Sequence, residues 1–142
     1  MKGDFPLLME DLDVPTILVI EDDPTIRLTL RAVFESEGYD VLSASNGKAG
    51  LELLRVMQPP SLILLDLMMP VMTGWEFLRE IQKDTKVSPI PVVVMSAGGI
   101  TPLTHAKHFL KKPLDIDDLL QIAVRFCKPS SPQDSRKVSI ES

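Results

Sequence analysis

Three apolar runs, TILVI at 16–20, LILL at 62–65 and VVVM at 92–95, constrain the fold of this chain more than any other feature of its sequence. Each is too short for a helix and too uniformly hydrophobic for a strand with one wet face, so each reads as a strand buried on both sides. The segments between them have a helical period. Asp23 can cap a helix that starts at Pro24, carries Ile26, Leu28, Leu30, Val33 and Phe34, and closes at Gly38. YDVLSAS gives a further strand, and Asn46 opens the helix NGKAGLELLRVM, which stops at Pro59 and Pro60. Trp75, Phe77, Leu78 and Ile81 place another helix over 74–83. HFLKK is short enough for a fifth strand, and Asp115 can cap a last helix through Ile116, Leu119, Leu120, Ile122, Ala123 and Phe126. Strands that alternate with helices predict an α/β fold, a parallel sheet covered on both faces with right-handed crossovers. In such sheets ligands bind beyond the carboxyl ends of the strands, where the strand order reverses.

Composition narrows the class. A chain of 142 residues with 44% hydrophobic content has the material for one core. A net charge of -5 argues against direct nucleic-acid binding, which needs clustered Lys and Arg. The single cysteine, Cys127, cannot form an internal disulfide, MKGDFPLLMEDLD lacks the marks of a signal peptide, and no apolar run reaches membrane-spanning length. The expected setting is cytoplasmic, with no membrane partner. The expected domain covers residues 15–127, preceded by an N-terminal extension over 1–14. The polar tail KPSSPQDSRKVSIES, residues 128–142, has the composition of a disordered segment.

The residues that follow the strands form a chemical set. Glu21 and Asp22 follow the first strand, Asp66 the third, Ser96 the fourth and Lys112 the fifth. A parallel sheet gathers them at one edge. Three carboxylates in one place repel each other unless protons or a cation offset their charge, and Mg2+ suits oxygen ligands of this kind. Asp66 sits at a fixed strand end, where a carboxylate can attack phosphorus if positive groups offset the phosphoryl oxygens. Lys112 supplies such a charge and Ser96 a hydroxyl donor.

With this set the sequence resembles the receiver domains of two-component response regulators over residues 16–126. The resemblance is carried by Glu21-Asp22 in ILVIEDDPTIR, Asp66 in LILLDLMMPVMTG with Pro70 and Gly74 following, Ser96 in VVVMSA, and Lys112 before Pro113. It implies a flavodoxin-like (CheY-like) doubly wound sheet of five parallel strands in the order 2-1-3-4-5. It also implies that Asp66 is the phosphoacceptor, assisted by Lys112 and Ser96. Glu21, Asp22, Asp66 and the backbone carbonyl of Met68 would hold the metal. Asp22-Asp23 is the alternative acid pair, but Asp23 directly precedes Pro24 and is better used as a helix cap. Ser96 and Phe109 take the switch positions, Phe109 having a core role as its other reading. The phosphoryl donor would be a sensor histidine kinase or a phosphotransfer protein, and the output a protein-binding surface for a target the sequence does not name. Such a domain is a signalling module that assists its own phosphoryl transfer, not an ordinary enzyme. No second domain is expected after Cys127, so the chain reads as a stand-alone receiver. Met68 and Gly98 cannot orient a water, which predicts slow self-dephosphorylation.

One region departs from the family. Only AGGITPLTHAKHFLK separates Ser96 from Lys112, about one and a half helical turns short of the usual length. Gly98, Gly99 and Pro102 disfavour a helix there, so the fourth helix is expected to be shortened or missing. A phosphorylation-independent receiver-like adaptor is therefore the alternative. An Asp-nucleophile phosphohydrolase ranks lower, because Met68 stands where that chemistry needs a second Asp. His105 and His108 lack nearby acids or thiols at ligand spacing, and Cys127 reads as a packing residue.

Overall fold

The computed structural model describes residues 14–98 and 106–127. In chain order its elements are β1 (Thr16–Ile20), α1 (Pro24–Ser36), β2 (Asp40–Ala44), α2 (Gly47–Val56), β3 (Leu62–Asp66), α3 (Gly74–Ile81), β4 (Val92–Ser96), β5 (His108–Lys111) and α4 (Ile116–Phe126). The strands form one parallel sheet in the order β2-β1-β3-β4-β5, the flavodoxin-like doubly wound arrangement. Four helices accompany them among the described residues, and none of these lies between β4 and β5. Residues 99–105 of that connection, with Gly99, Pro102 and His105, lie outside the described residues. So do residues 1–13 of the expected extension over 1–14, and the tail over 128–142.

Local chemistry explains the helix starts. The Asp23 carboxylate accepts from the N–H groups of Thr25 and Ile26, with Pro24 in the first turn, and Asn46 and Asp115 cap α2 and α4 in the same way. α3 starts with a capping box. Thr73 accepts from the N–H of Glu76, whose carboxylate accepts from the N–H of Thr73. At the end of α1, Gly38 has φ +93°, a left-handed turn that glycine adopts without strain.

Alternation along the strands then builds two cores. Leu18, Ile20, Ile63, Leu65, Val92 and Val94 face Leu54 of α2 and Phe77, Leu78 and Ile81 of α3. Ile17, Val19, Leu62, Leu64, Val93 and Met95 face Leu30 and Phe34 of α1 and Leu119, Ile122 and Ala123 of α4. β3 and β4 are buried along their whole length, as strands covered on both sides must be. Cys127 is a free, buried thiol in the second core, and burial pushes it up to about 12. It behaves as the packing residue its sequence context predicted.

This sheet also fixes where a site can lie. The chain runs from β1 outward to β2 and then crosses to β3 on the other side of β1, so the strand order reverses between β1 and β3. Ile20 is paired with Leu65, which brings the next residues, Glu21 and Asp66, side by side at that crevice.

Candidate functional site

Glu21, Asp22 and Asp66 meet at the carboxyl edge, each offering a carboxylate oxygen within 4.8 Å of the others. Glu21 is fully buried and Asp66 is 3% exposed, whereas Asp22 opens to solvent. Asp66 belongs to β3, beside Met95 of β4. Ser96 closes β4, also 3% exposed, and its hydroxyl oxygen accepts from the N–H of Gly98 at 3.2 Å. Lys112 follows β5, and its N–H donates to the carbonyl of Ser96 at 2.9 Å, which extends the ladder by one residue and holds the lysine over the site. The Lys112–Pro113 peptide is cis.

The ammonium of Lys112 lies 2.9 Å from Glu21 Oε1 and 3.5 Å from Asp66 Oδ1. Glu21 reaches the lysine more closely than the central aspartate does. Its Oε1 is buried with no well-formed hydrogen bond, so the charge of Lys112 is what offsets it among the described residues. Its Oε2 accepts from the N–H of Asp23 at 3.2 Å. Asp23 thus caps α1 with its side chain and supports Glu21 with its backbone, in keeping with its assignment as a cap.

Electrostatics follow from this crowding. Burial, then the hydrogen-bonding contact and charge of Glu21, push Asp66 from its ordinary 3.8 up to about 7. Lys112 and the N–H of Met68, which donates to Asp66 Oδ1 at 3.2 Å, pull the other way without cancelling the rise. Although burial opposes it, contact with Glu21 and Asp66 holds the Lys112 ammonium above its usual range. Acids crowded at one sheet edge are relieved by protons or by a cation. One carboxyl is poised to keep a proton near neutrality, and the paired carboxylate oxygens are hard donors of the kind a Mg2+ ion takes.

The loop after Asp66 shapes the pocket rim. A Cβ on Gly74 would come within 2.8 Å of Leu67 Cα and 2.9 Å of the Asp66 carbonyl oxygen, so α3 packs against the strand end closely enough that only glycine fits. Val71 has φ 72°, a conformation that is costly for a β-branched residue, and its side chain is exposed. Met68 is exposed beside the acids, whereas Met69 is buried. The N–H of Met68 faces Asp66.

Phe109 is half-buried on β5 and packs against the core under α2 and α3. It also lines a cavity of about 450 Å³ with His108, Lys111, Asp118, Gln121 and Arg125. His108, also half-buried, is the first residue of β5. Sequence reasoning missed one contributor, Arg27, whose side chain folds back from α1 onto the Glu21–Asp22 backbone. Nothing in the pattern of apolar positions signals such a contact.

Residues 17–124 match the family model of the response regulator receiver domain. The protein PilH of Pseudomonas aeruginosa is 33% identical over 111 residues, which cover 74% of this chain and 91% of that protein. The receiver domain of the Francisella response regulator 1452 superposes with a TM-score of 0.72 at 29% identity, over 80% of this chain and 97% of that one. The receiver domain of a Pseudomonas aeruginosa sensor histidine kinase, solved with a magnesium ion coordinated in its active site cleft, has the same fold. Its TM-score is 0.74 at 24% identity, over 80% of this chain and 98% of that one. Among the described residues no helix is long and apolar enough to cross a membrane. The fold agrees with the family model and with the relatives, and the chain belongs to the response regulator receiver domain family of two-component signalling.

Proposed function

We propose that Asp66 accepts a phosphoryl group from the phosphohistidine of a sensor histidine kinase or a phosphotransfer protein, and that the chain acts as a stand-alone, Mg2+-dependent receiver in a phosphorelay. The observation that carries this is the meeting of Asp66 with Glu21, Asp22 and Lys112 at the point where strand order reverses. A carboxylate oxygen of Asp66 attacks phosphorus, a new P–O bond forms as the P–N bond of the donor breaks, and the departing imidazole takes up a proton. Glu21, Asp22, Asp66 and the carbonyl of Met68 would hold the metal, which when bound offsets charge on the phosphoryl oxygens.

The remaining roles belong to the chain itself. Lys112, now shared between Glu21 and Asp66, is within reach of a phosphoryl group on Asp66 and pairs with it. The Ser96 hydroxyl donates to a second oxygen after leaving its contact with the Gly98 N–H. Phe109 reports the change to the β5 edge by altering its packing. Nothing at Met68 or Gly98 orients a hydrolytic water, so the acyl phosphate is long-lived. The domain doing this spans residues 15–127 in the cytoplasm, with the downstream target a protein.

A receiver-like adaptor that signals without phosphorylation is the second reading, favoured by the short connection between β4 and β5. Incubation with acetyl phosphate and Mg2+ separates the two. The wild type should gain the mass of one phosphoryl group, and Asp66→Asn or omission of Mg2+ should abolish the gain. An unmodified wild type under these conditions supports the adaptor.

A further inference from the structure

Two of the three clustered acids sit on the turn between β1 and α1, and they are held unequally. Glu21 is buried and paired with Lys112, whereas the Asp22 carboxylate is exposed and has no hydrogen-bond partner among the described residues. The order of this turn therefore resides in its backbone. That backbone is tied down by Arg27, whose Nη1 donates to the carbonyl oxygen of Glu21 at 2.8 Å and lies 3.4 Å from that of Asp22. Arg27 is itself anchored in the first turn of α1, where its N–H donates to the carbonyl of Asp23 at 2.9 Å. A guanidinium this near three acids could instead have served as their counter-ion. It does not: among the described residues the ion pairs to Glu21 and Asp66 come from Lys112.

We propose that Arg27 is a positioning residue, a clamp on two successive carbonyls that fixes the backbone of Glu21 and Asp22 and so aims both carboxylates at a shared cation. This rests on the assignment of Glu21, Asp22 and Asp66 as a divalent-cation ligand set. Turning two adjacent peptide carbonyls toward one nitrogen restricts the torsions between them, and these torsions set the Cα–Cβ directions from which both side chains reach the cluster. Without the clamp, the turn must be ordered when the cation binds, and that ordering is subtracted from the affinity. Groups that orient metal ligands from behind typically matter by about 10- to 100-fold in affinity. Arg27 acts through backbone and is half-buried, so the low end applies.

Charge and positioning predict opposite signs here, which makes the idea testable. Removing a positive group beside an acidic cluster should strengthen cation binding on Coulombic grounds alone. Losing a clamp should weaken it. Titration of Mg2+ alone into the full chain by calorimetry is expected to give a dissociation constant about 10-fold higher for Arg27→Gln than for wild type. Arg27→Lys keeps the charge but ends one heavy atom short, and it should also bind more weakly. Circular dichroism and thermal midpoints confirm that each variant is folded, because a merely structural loss would lower the midpoint without moving the affinity of the folded protein. If Arg27→Gln does not fold, Arg27→Lys decides alone, its charge being unchanged. Affinity in the folded variants equal to or tighter than wild type overturns the clamp and leaves the ligand set standing. A wild type that takes up no Mg2+ overturns both.

Discussion

The raised Asp66 carboxyl should be visible in folding stability, and Asp66→Asn is the perturbation that isolates it. In the metal-free protein Asp66 moves from 3.8 to about 7, so between these values the folded state holds a proton that the unfolded chain has released. Stability then falls as pH rises, because the folded state binds more protons across that interval, and it levels off above the folded value. Across the interval from about pH 5 to about pH 8 this single titration corresponds to a loss on the order of 2 to 3 kcal/mol. The shift in Lys112 adds nothing in this window, since a raised lysine loses its contribution only at alkaline pH. Urea unfolding of wild type and Asp66→Asn, in a chelator and at several pH values, should show a downward slope in the wild type that the variant lacks. Saturating Mg2+ should reduce the slope by binding the ionised folded form. Parallel pH profiles for the two proteins would refute the idea that burial and Glu21 hold a proton on Asp66.

Three further substitutions follow from the geometry. Lys112→Met strips the buried Glu21 Oε1 of its ion pair and should cost about 3 kcal/mol in metal-free urea unfolding, partly recovered by Mg2+. Gly74→Ala drives a methyl group into the backbone of Leu67 and Asp66, so a loss of about 2 kcal/mol is expected, with the phosphorylation rate falling as the strand end shifts. Val71→Gly relieves a positive φ at an exposed position and should raise the unfolding midpoint by the equivalent of up to ~1 kcal/mol, the entropy of glycine offsetting part of the gain.

Much of the scaffold was legible because its signals are local. Asp23 with Pro24, Asn46 and Asp115 cap where their side-chain chemistry says they should, and the runs at 16–20, 62–66 and 92–96 are strands because nothing else of that length buries so much apolar surface. Asp66 was legible for a different reason. In a parallel sheet, residues just after different strands come together regardless of their distance in sequence, so a short set of strand-end acids defines a place. What could not be read depends on the path of loops. Thr73 and Glu76 do carry a local mark, the three-residue spacing of a capping box. By contrast, Val71 gives no hint of its left-handed backbone, since glycine or asparagine is the residue that normally marks one. The closer pairing of Lys112 with Glu21 than with Asp66 depends on the reach of a buried glutamate side chain, and the Arg27 clamp on how a long side chain doubles back over a turn.

On the proposed function, Asp66, and not a neighbouring acid or serine, carries the phosphoryl group. Acyl phosphates are reduced by borohydride to the alcohol, so a phosphorylated aspartate becomes homoserine and can be located by peptide sequencing. After treatment with acetyl phosphate and Mg2+, homoserine should be found at position 66 alone. Conversion at Glu21 or Asp22, phosphate retained on Ser96, or no conversion anywhere would rule out Asp66 as the acceptor.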